Sequence, residues 1–225
     1  MLNKPFMKPI KEKFFKMSSV YFTYDIKRPD ISVKRLSFSM DNQPKAKQVV
    51  RLTGSNGSGK TTLLQILSGL IVPDTGQSPY DEGSFFYLPH HAGLRGDLTV
   101  AQNLDYWAAI MHIQVKQHVK KLADVIDAFE LKDFMDIPVK HLSAGQQRRA
   151  ALLRLSLVRD RDIWFLDEPE SNLDQAMTIR LGQIVADYAA QGGAVIWATH
   201  LDKYAFPIAI QTESQRDMIL PEIAL

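Results

Sequence analysis

The sequence predicts an α/β fold: a mostly parallel sheet, an antiparallel β subdomain ahead of it, and a helical subdomain inserted into it. Three observations lead there. Short apolar strands alternate with helices, the pattern of a parallel sheet covered on both faces. A glycine-rich loop sits between a strand at 48–53 and a helix that continues to Gly69. Between about 97 and 140 the strand signal gives way to helical periodicity, which interrupts the alternation.

Each element has its own signal. The first sixteen residues hold five lysines and one acid, without a long apolar run or a small-residue cleavage site, so a secretory signal is rejected. We expect residues 1–17 to form a basic, flexible extension and 18–225 to form the main domain. Val20, Phe22 and Tyr24 alternate with other residues and read as a strand, as do Leu36, Phe38 and Met40. Polar residues 41–47 read as a turn, and 73–76 (PDTG) as another. Residues 85–88 (FFYL) read as a strand. Thr99 and Gln102 have capping-box spacing and open a helix through about Met111. Val115, Val119, Leu122, Ile126 and Phe129 form one apolar face at helical period. Ser143 and Gln146 repeat the capping-box spacing, and 150–158 reads as a helix. Strands at 163–166 and 194–198 flank a helix near 175–190.

Composition removes several functional classes. The chain of 225 residues has no cysteine, which excludes disulfides, thiolate metal sites, cysteine nucleophiles and iron–sulfur clusters. A net charge of +2 is too balanced to point to nucleic acid as a partner. The longest apolar stretch, 63–72, contains Gln65, Ser68 and Gly69 and is too short to span a bilayer. Any membrane association is therefore expected to be peripheral.

Four segments carry chemistry. Residues 54–61, GSNGSGKT, fit the P-loop pattern G-x-x-x-x-G-K-[ST] in the strand–loop–helix context that the pattern demands. Gly54, Gly57 and Gly59, with Ser55, Asn56 and Ser58 between them, let successive backbone N–H groups turn toward one anion. The helix N-terminus after them adds its positive dipole end at Thr61 and Thr62. Lys60 would reach the β- and γ-phosphates, and the Thr61 hydroxyl would ligate Mg²⁺. The apolar strand at 163–166 ends in Asp167 and Glu168, where a parallel sheet presents its ligands. Asp167 would help hold the metal and Glu168 would polarise an attacking water. Leu142, Ser143, Ala144, Gly145 and Gln146 place a hydroxyl and a free N–H at a helix N-terminus, a ready anion site. His200 follows the last strand, where it can hydrogen-bond a γ-phosphate. The core is thus a P-loop NTPase.

Together the P-loop, LSAGQ, LDEP and TH segments, in that order from about residue 19 to 201, resemble an ABC-type ATPase. LSAGQ differs from the commoner LSGGQ by one small residue. The resemblance implies ATP hydrolysis and a head-to-tail homodimer with two sandwiched ATP molecules. Each would be held by the P-loop of one subunit and by Ser143, Gly145 and Gln146 of the other. It also implies a membrane permease as partner, on the cytoplasmic side of the cell membrane. Ser171, Asn172, Leu173 and Asp174 match the loop that crosses the dimer seam in this family. Tyr24 is the candidate aromatic for stacking on adenine, with Phe22 a rival and a plain core role the alternative. A finer resemblance is to the ATP-binding subunit of the haem exporter of cytochrome c biogenesis. It rests on 90–99 (HHAGLRGDLT), 136–149 (DIPVKHLSAGQQRR) and 191–200 (QGGAVIWATH).

Two departures stand out. The family usually has a glutamine after the strand near Phe85, serving the metal and the permease; His91 aligns there, with His90 the neighbouring alternative. Residues 41–47 replace a glycine-containing turn. Other classes fit less well. The chain lacks the tandem cassettes of translation factors, the long coiled coils of repair proteins and an N-K-x-D guanine motif.

Overall fold

The computed structural model describes residues 20–28, 31–40, 49–54, 56–72 and 84–200. The expected extension 1–17, the turns at 41–47 and 73–76, Ser55 and the tail from 201 onward lie outside the described residues. Strands β1 (Val20–Arg28) and β2 (Ile31–Met40) pair antiparallel. The two alternating sets meet in register: Val20 opposite Met40, Phe22 opposite Phe38 and Tyr24 opposite Leu36.

The second sheet holds β3 (Val49–Leu52), β4 (Phe85–Leu88), β5 (Ile163–Asp167) and β6 (Ala194–Ala198), in the order β3-β6-β5-β4 with every pairing parallel. Parallel strands need long crossovers, and those crossovers cover both faces. Strands β5 and β6 are accordingly buried along their whole length. Their period of two sorts side chains between two cores. Trp164, Leu166, Val195 and Trp197 join the larger one with Phe86 and Leu88. Ile163, Phe165 and Ile196 join the other, with Leu63, Leu64, Ile66 and Leu67 of α1 (Lys60–Leu67).

Helix α5 (Gln175–Ala190) lies on the larger-core side. Its N-cap Asp174 accepts a hydrogen bond from the Met177 N–H at 2.8 Å, satisfying an end donor the helix cannot pair internally. Tyr188 near its end stacks on Trp164 with ring centroids 3.7 Å apart. Between β4 and β5 come α2 (Val100–Ile110), α3 (Val119–Ala128) and α4 (Ala144–Leu152), with 3₁₀ turns at Val115–Gln117, Lys132–Phe134, Val139–His141 and Leu153–Ser156.

Both expected capping boxes form, at Thr99/Gln102 and Ser143/Gln146. Two details differ from expectation. Of the expected apolar face, Phe129 is buried and Leu122 and Ile126 pack partly against the core, whereas Val119, the first residue of α3, is 59% exposed. The helix with its N-terminus expected at Ser143 begins at Ala144, as that capping box requires, but it tightens to 3₁₀ from Leu153 and does not run on as α-helix to 158. There the Ser156 hydroxyl donates to the Leu153 carbonyl at 2.7 Å, an i→i−3 bond that competes with the α-helical ladder.

Candidate functional site

Because all four strands of the second sheet run the same way, their C-terminal ends share one edge. Along that edge lie the glycine loop after β3, His90 and His91 after β4, Asp167 and Glu168 at the end of β5, and Thr199 and His200 after β6. Segments scattered over about 150 residues are thus one site.

The glycine loop has the backbone its composition demands. Gly57 (φ 78°) and Gly59 (φ 100°) occupy the left-handed region, where a side chain is costly. Gly59 is the N-cap of α1, so that helix starts at the phosphate cradle. Lys60 is buried and donates from Nζ to the Gly54 carbonyl at 2.8 Å. Asn56 and Thr61 are exposed, Thr62 is half-buried, and Ser58 packs its hydroxyl beneath the loop against Gly54. The Thr61 hydroxyl donates to Oδ2 of Asp167 at 2.9 Å, which closes the loop onto β5.

Asp167 is buried, and desolvation pushes its pKa up; the Thr61 hydrogen bond pulls the other way. Tyr87 donates to the same oxygen at 3.4 Å, and its hydroxyl is driven well above the usual range by burial and by that carboxylate. A carboxylate held at this desolvation cost beside an exposed hydroxyl is the donor pair that a small hard dication uses with substrate phosphates. Among the described residues no cluster of three or more His, Cys, Asp or Glu side chains is set to cage a metal alone. The residues present fit Mg²⁺ bound jointly by protein and nucleotide.

Glu168 follows in the left-handed region, φ 45°, a strain of roughly 1–3 kcal/mol that the surroundings must impose. Three side chains converge on its carboxylate: Lys60 Nζ at 3.9 Å, His90 Nδ1 at 3.5 Å and His200 Nδ1 at 3.7 Å. His91 packs edge-on against His90, with centroids 5.5 Å apart. Of the two histidines, His90 is the one at Glu168.

Ser143 is the exposed N-cap of α4. Its hydroxyl accepts from the Gln146 N–H at 3.2 Å, and Gln146 accepts from the Ser143 N–H at 2.8 Å. A Cβ on Gly145 would stand 2.8 Å from the Asn172 carbonyl, so only glycine lets this helix end approach the loop at 171–174 so closely. Tyr24 lies in β1, but its side chain is outside what the structure describes.

A family profile described as ABC transporter matches residues 33–171. The chain belongs to the ABC transporter family. Among curated relatives it is 42% identical over 151 residues to the cytochrome c biogenesis ATP-binding export protein CcmA of Roseobacter denitrificans, covering 67% of this chain and 70% of that one. The protein of the same name from Gluconobacter oxydans is 38% identical over 173 residues, covering 77% and 74%. The solved dimeric structure of MJ0796, a bacterial ABC transporter cassette, superposes with a TM-score of 0.67 at 21% identity, covering 83% and 88%. A post-hydrolysis structure of the same cassette with ADP and Pi gives 0.68. The α/β fold read from the sequence is therefore the ABC cassette fold, and the chain is an ABC transporter ATPase.

Within this ABC ATPase, Glu170 belongs to the site although no sequence motif marks it. It is buried, and it accepts from Trp197 Nε1 at 2.7 Å and from the Thr199 hydroxyl. It therefore ties the loop carrying Glu168 to the strand end carrying His200. Burial pushes its pKa up. An acid three residues beyond Asp167 gave no periodic or motif signal; only the fold brings it under β6.

Proposed function

We propose that this chain is the ATP-hydrolysing subunit of a transporter serving cytochrome c maturation, working with a membrane permease in haem export or delivery. The level of identity to the export proteins named CcmA supports the assignment. Convergence of Lys60, His90 and His200 on Glu168 at the P-loop carries the chemistry.

The glycine loop binds the phosphates through its N–H groups, and Lys60 neutralises charge on the β- and γ-oxygens. Glu168 accepts a hydrogen bond from water and sets it in line with the γ-phosphate. His200 and His90 flank that carboxylate. Thr61 and Asp167 are the residues that would hold Mg²⁺, with His91 in the aligned glutamine position. When bound, the ion supplies charge neutralisation at the phosphates. Ser143, Gly145 and Gln146 are assigned to the nucleotide of a second copy in a head-to-tail homodimer. Among the described residues no helix is long and apolar enough to cross a membrane. In this reading the subunit docks peripherally, on the cytoplasmic face, through its permease.

Two experiments test this reading. In the source organism, Lys60→Ala should leave c-type cytochromes without covalent haem, scored by haem-peroxidase staining of denaturing gels; normal staining would reject the transport role. In the Glu168→Gln background, ATP should give a dimer by light scattering that Ser143→Arg abolishes. An undiminished dimer would reject the composite site.

A further inference from the structure

Glu168 holds a backbone conformation that a non-glycine residue keeps only when its surroundings insist on it. One N–H at its position is accounted for by the sheet: Glu168 N donates to the Ala198 carbonyl at 2.9 Å. Its carbonyl accepts from the Ser171 N–H at 3.0 Å within the turn, and the hold from outside the turn comes from α4. Arg148 is 2% exposed, and its fork delivers every N–H to a main-chain carbonyl. Nε donates to Pro169 at 2.9 Å. Nη1 donates to Pro89 at 3.1 Å and to His90 at 2.9 Å. Nη2 donates to Asp167 at 3.2 Å and to Glu168 at 2.8 Å.

These acceptors form two segments. Residues 167–169 are the backbone of Glu168 and its two neighbours. Residues 89–90 are the backbone of the histidine that approaches the Glu168 carboxylate and of the proline before it. One planar cation therefore sets the relative position of the base and of a group facing it. The same helix opens with Ser143, so its seating and the aim of Glu168 are mechanically one unit. Lysine cannot reproduce this, because an ammonium is a point donor and not a rigid fork.

We propose that Arg148 is a positioning residue for ATP hydrolysis: it holds the backbone that aims Glu168 and couples that aim to the seating of α4. The proposal rests on Glu168 being the water-polarising base. A purely stabilising arginine would behave differently. Its loss would weaken the fold, or nucleotide binding, to the same degree whatever stood at position 168.

The test is a double-mutant cycle on the full-length chain. Single-turnover hydrolysis is measured for Arg148→Lys and Arg148→Gln, each alone and combined with Glu168→Gln. Rates are expressed per binding site titrated with a fluorescent ATP analogue, so that unfolded protein drops out. With Glu168 present, each substitution should lower the rate by about tenfold or more, the scale of a misplaced catalytic group, with analogue affinity held within about twofold. In the Glu168→Gln background, the same substitutions should change the residual rate by less than about twofold, because the aim of a charged base no longer matters. Equal losses in both backgrounds would overturn the proposal, as would failure of both variants to bind the analogue. Full turnover by Glu168→Gln alone would instead overturn the base assignment, so the two failures are distinguishable.

Discussion

The phosphate cradle and the hydrolytic corner share one sheet edge but are built on opposite plans. The cradle is a single loop and the first turn of α1; its glycines, Lys60 and Thr61 are neighbours in the chain. The corner takes Glu168 from the end of β5, His90 from the end of β4, His200 from the end of β6 and Lys60 from α1. Its backbone is held by Arg148 and its rear by Glu170. A local device depends on its own backbone torsions. An assembled one depends on every element that feeds it, so distant lesions should impair hydrolysis before they impair nucleotide binding.

The largest expected effect isolates the corner from the cradle. Glu168→Gln keeps size and hydrogen bonding but removes the charge that, in the proposed mechanism, polarises water. Turnover should fall by about a hundredfold or more while ATP affinity stays within a few-fold, measured by steady-state ATPase rate and equilibrium analogue binding. A parallel loss of affinity would mean the two regions are not separable.

Gly145→Ala comes next. The new Cβ would meet the Asn172 carbonyl at 2.8 Å, pushing the end of α4 away from the loop at 171–174. A displaced helix end should cost turnover about tenfold, with analogue binding at the cradle unchanged. An unaltered rate would show that this close approach plays no part in hydrolysis.

The two histidines should separate by metal titration. His90→Ala removes a neighbour of Glu168 and should lower the plateau rate by about threefold without moving the Mg²⁺ midpoint. His91→Ala should move the midpoint toward higher Mg²⁺ if it fills the aligned glutamine position. The reverse pattern would exchange their roles.

The smallest effect concerns stability. Burial raises the pKa of Glu170 above its ordinary 4.5. An acid with a raised folded pKa holds its proton more tightly when folded. Its favourable contribution is thus full below the unfolded value and is lost as pH rises to the folded one. Glutamine does not titrate, yet it can accept from Trp197 and donate to the Thr199 hydroxyl. Urea unfolding of Glu170→Gln should therefore show it gaining on the wild type as pH rises from the ordinary value of 4.5. A difference that is flat with pH would mean the buried carboxylate carries no such cost.

What the sequence determined by itself was whatever depends on neighbours in the chain. Local backbone needs wrote the GSNGSGKT cradle, and end-group pairing wrote the capping boxes at Thr99 and Ser143. Side-chain period and apolar runs wrote the strands, including the facing sets of Phe22 and Phe38. Order and spacing of the motifs then gave the family. The tertiary structure decided the rest. It chose His90 as the histidine at Glu168, turned Val119 outward, and stopped the α-helix at Leu152. It also recruited Arg148, which the 136–149 segment contains without revealing its contacts, and Glu170, which none of the motifs contains. Arg148 grips main-chain carbonyls, and any residue can supply a carbonyl. Glu170 meets Trp197 and Thr199 only because β5 and β6 lie side by side. Such interactions are fixed by which backbones the parallel sheet brings within hydrogen-bond reach, and no local pattern encodes that distance.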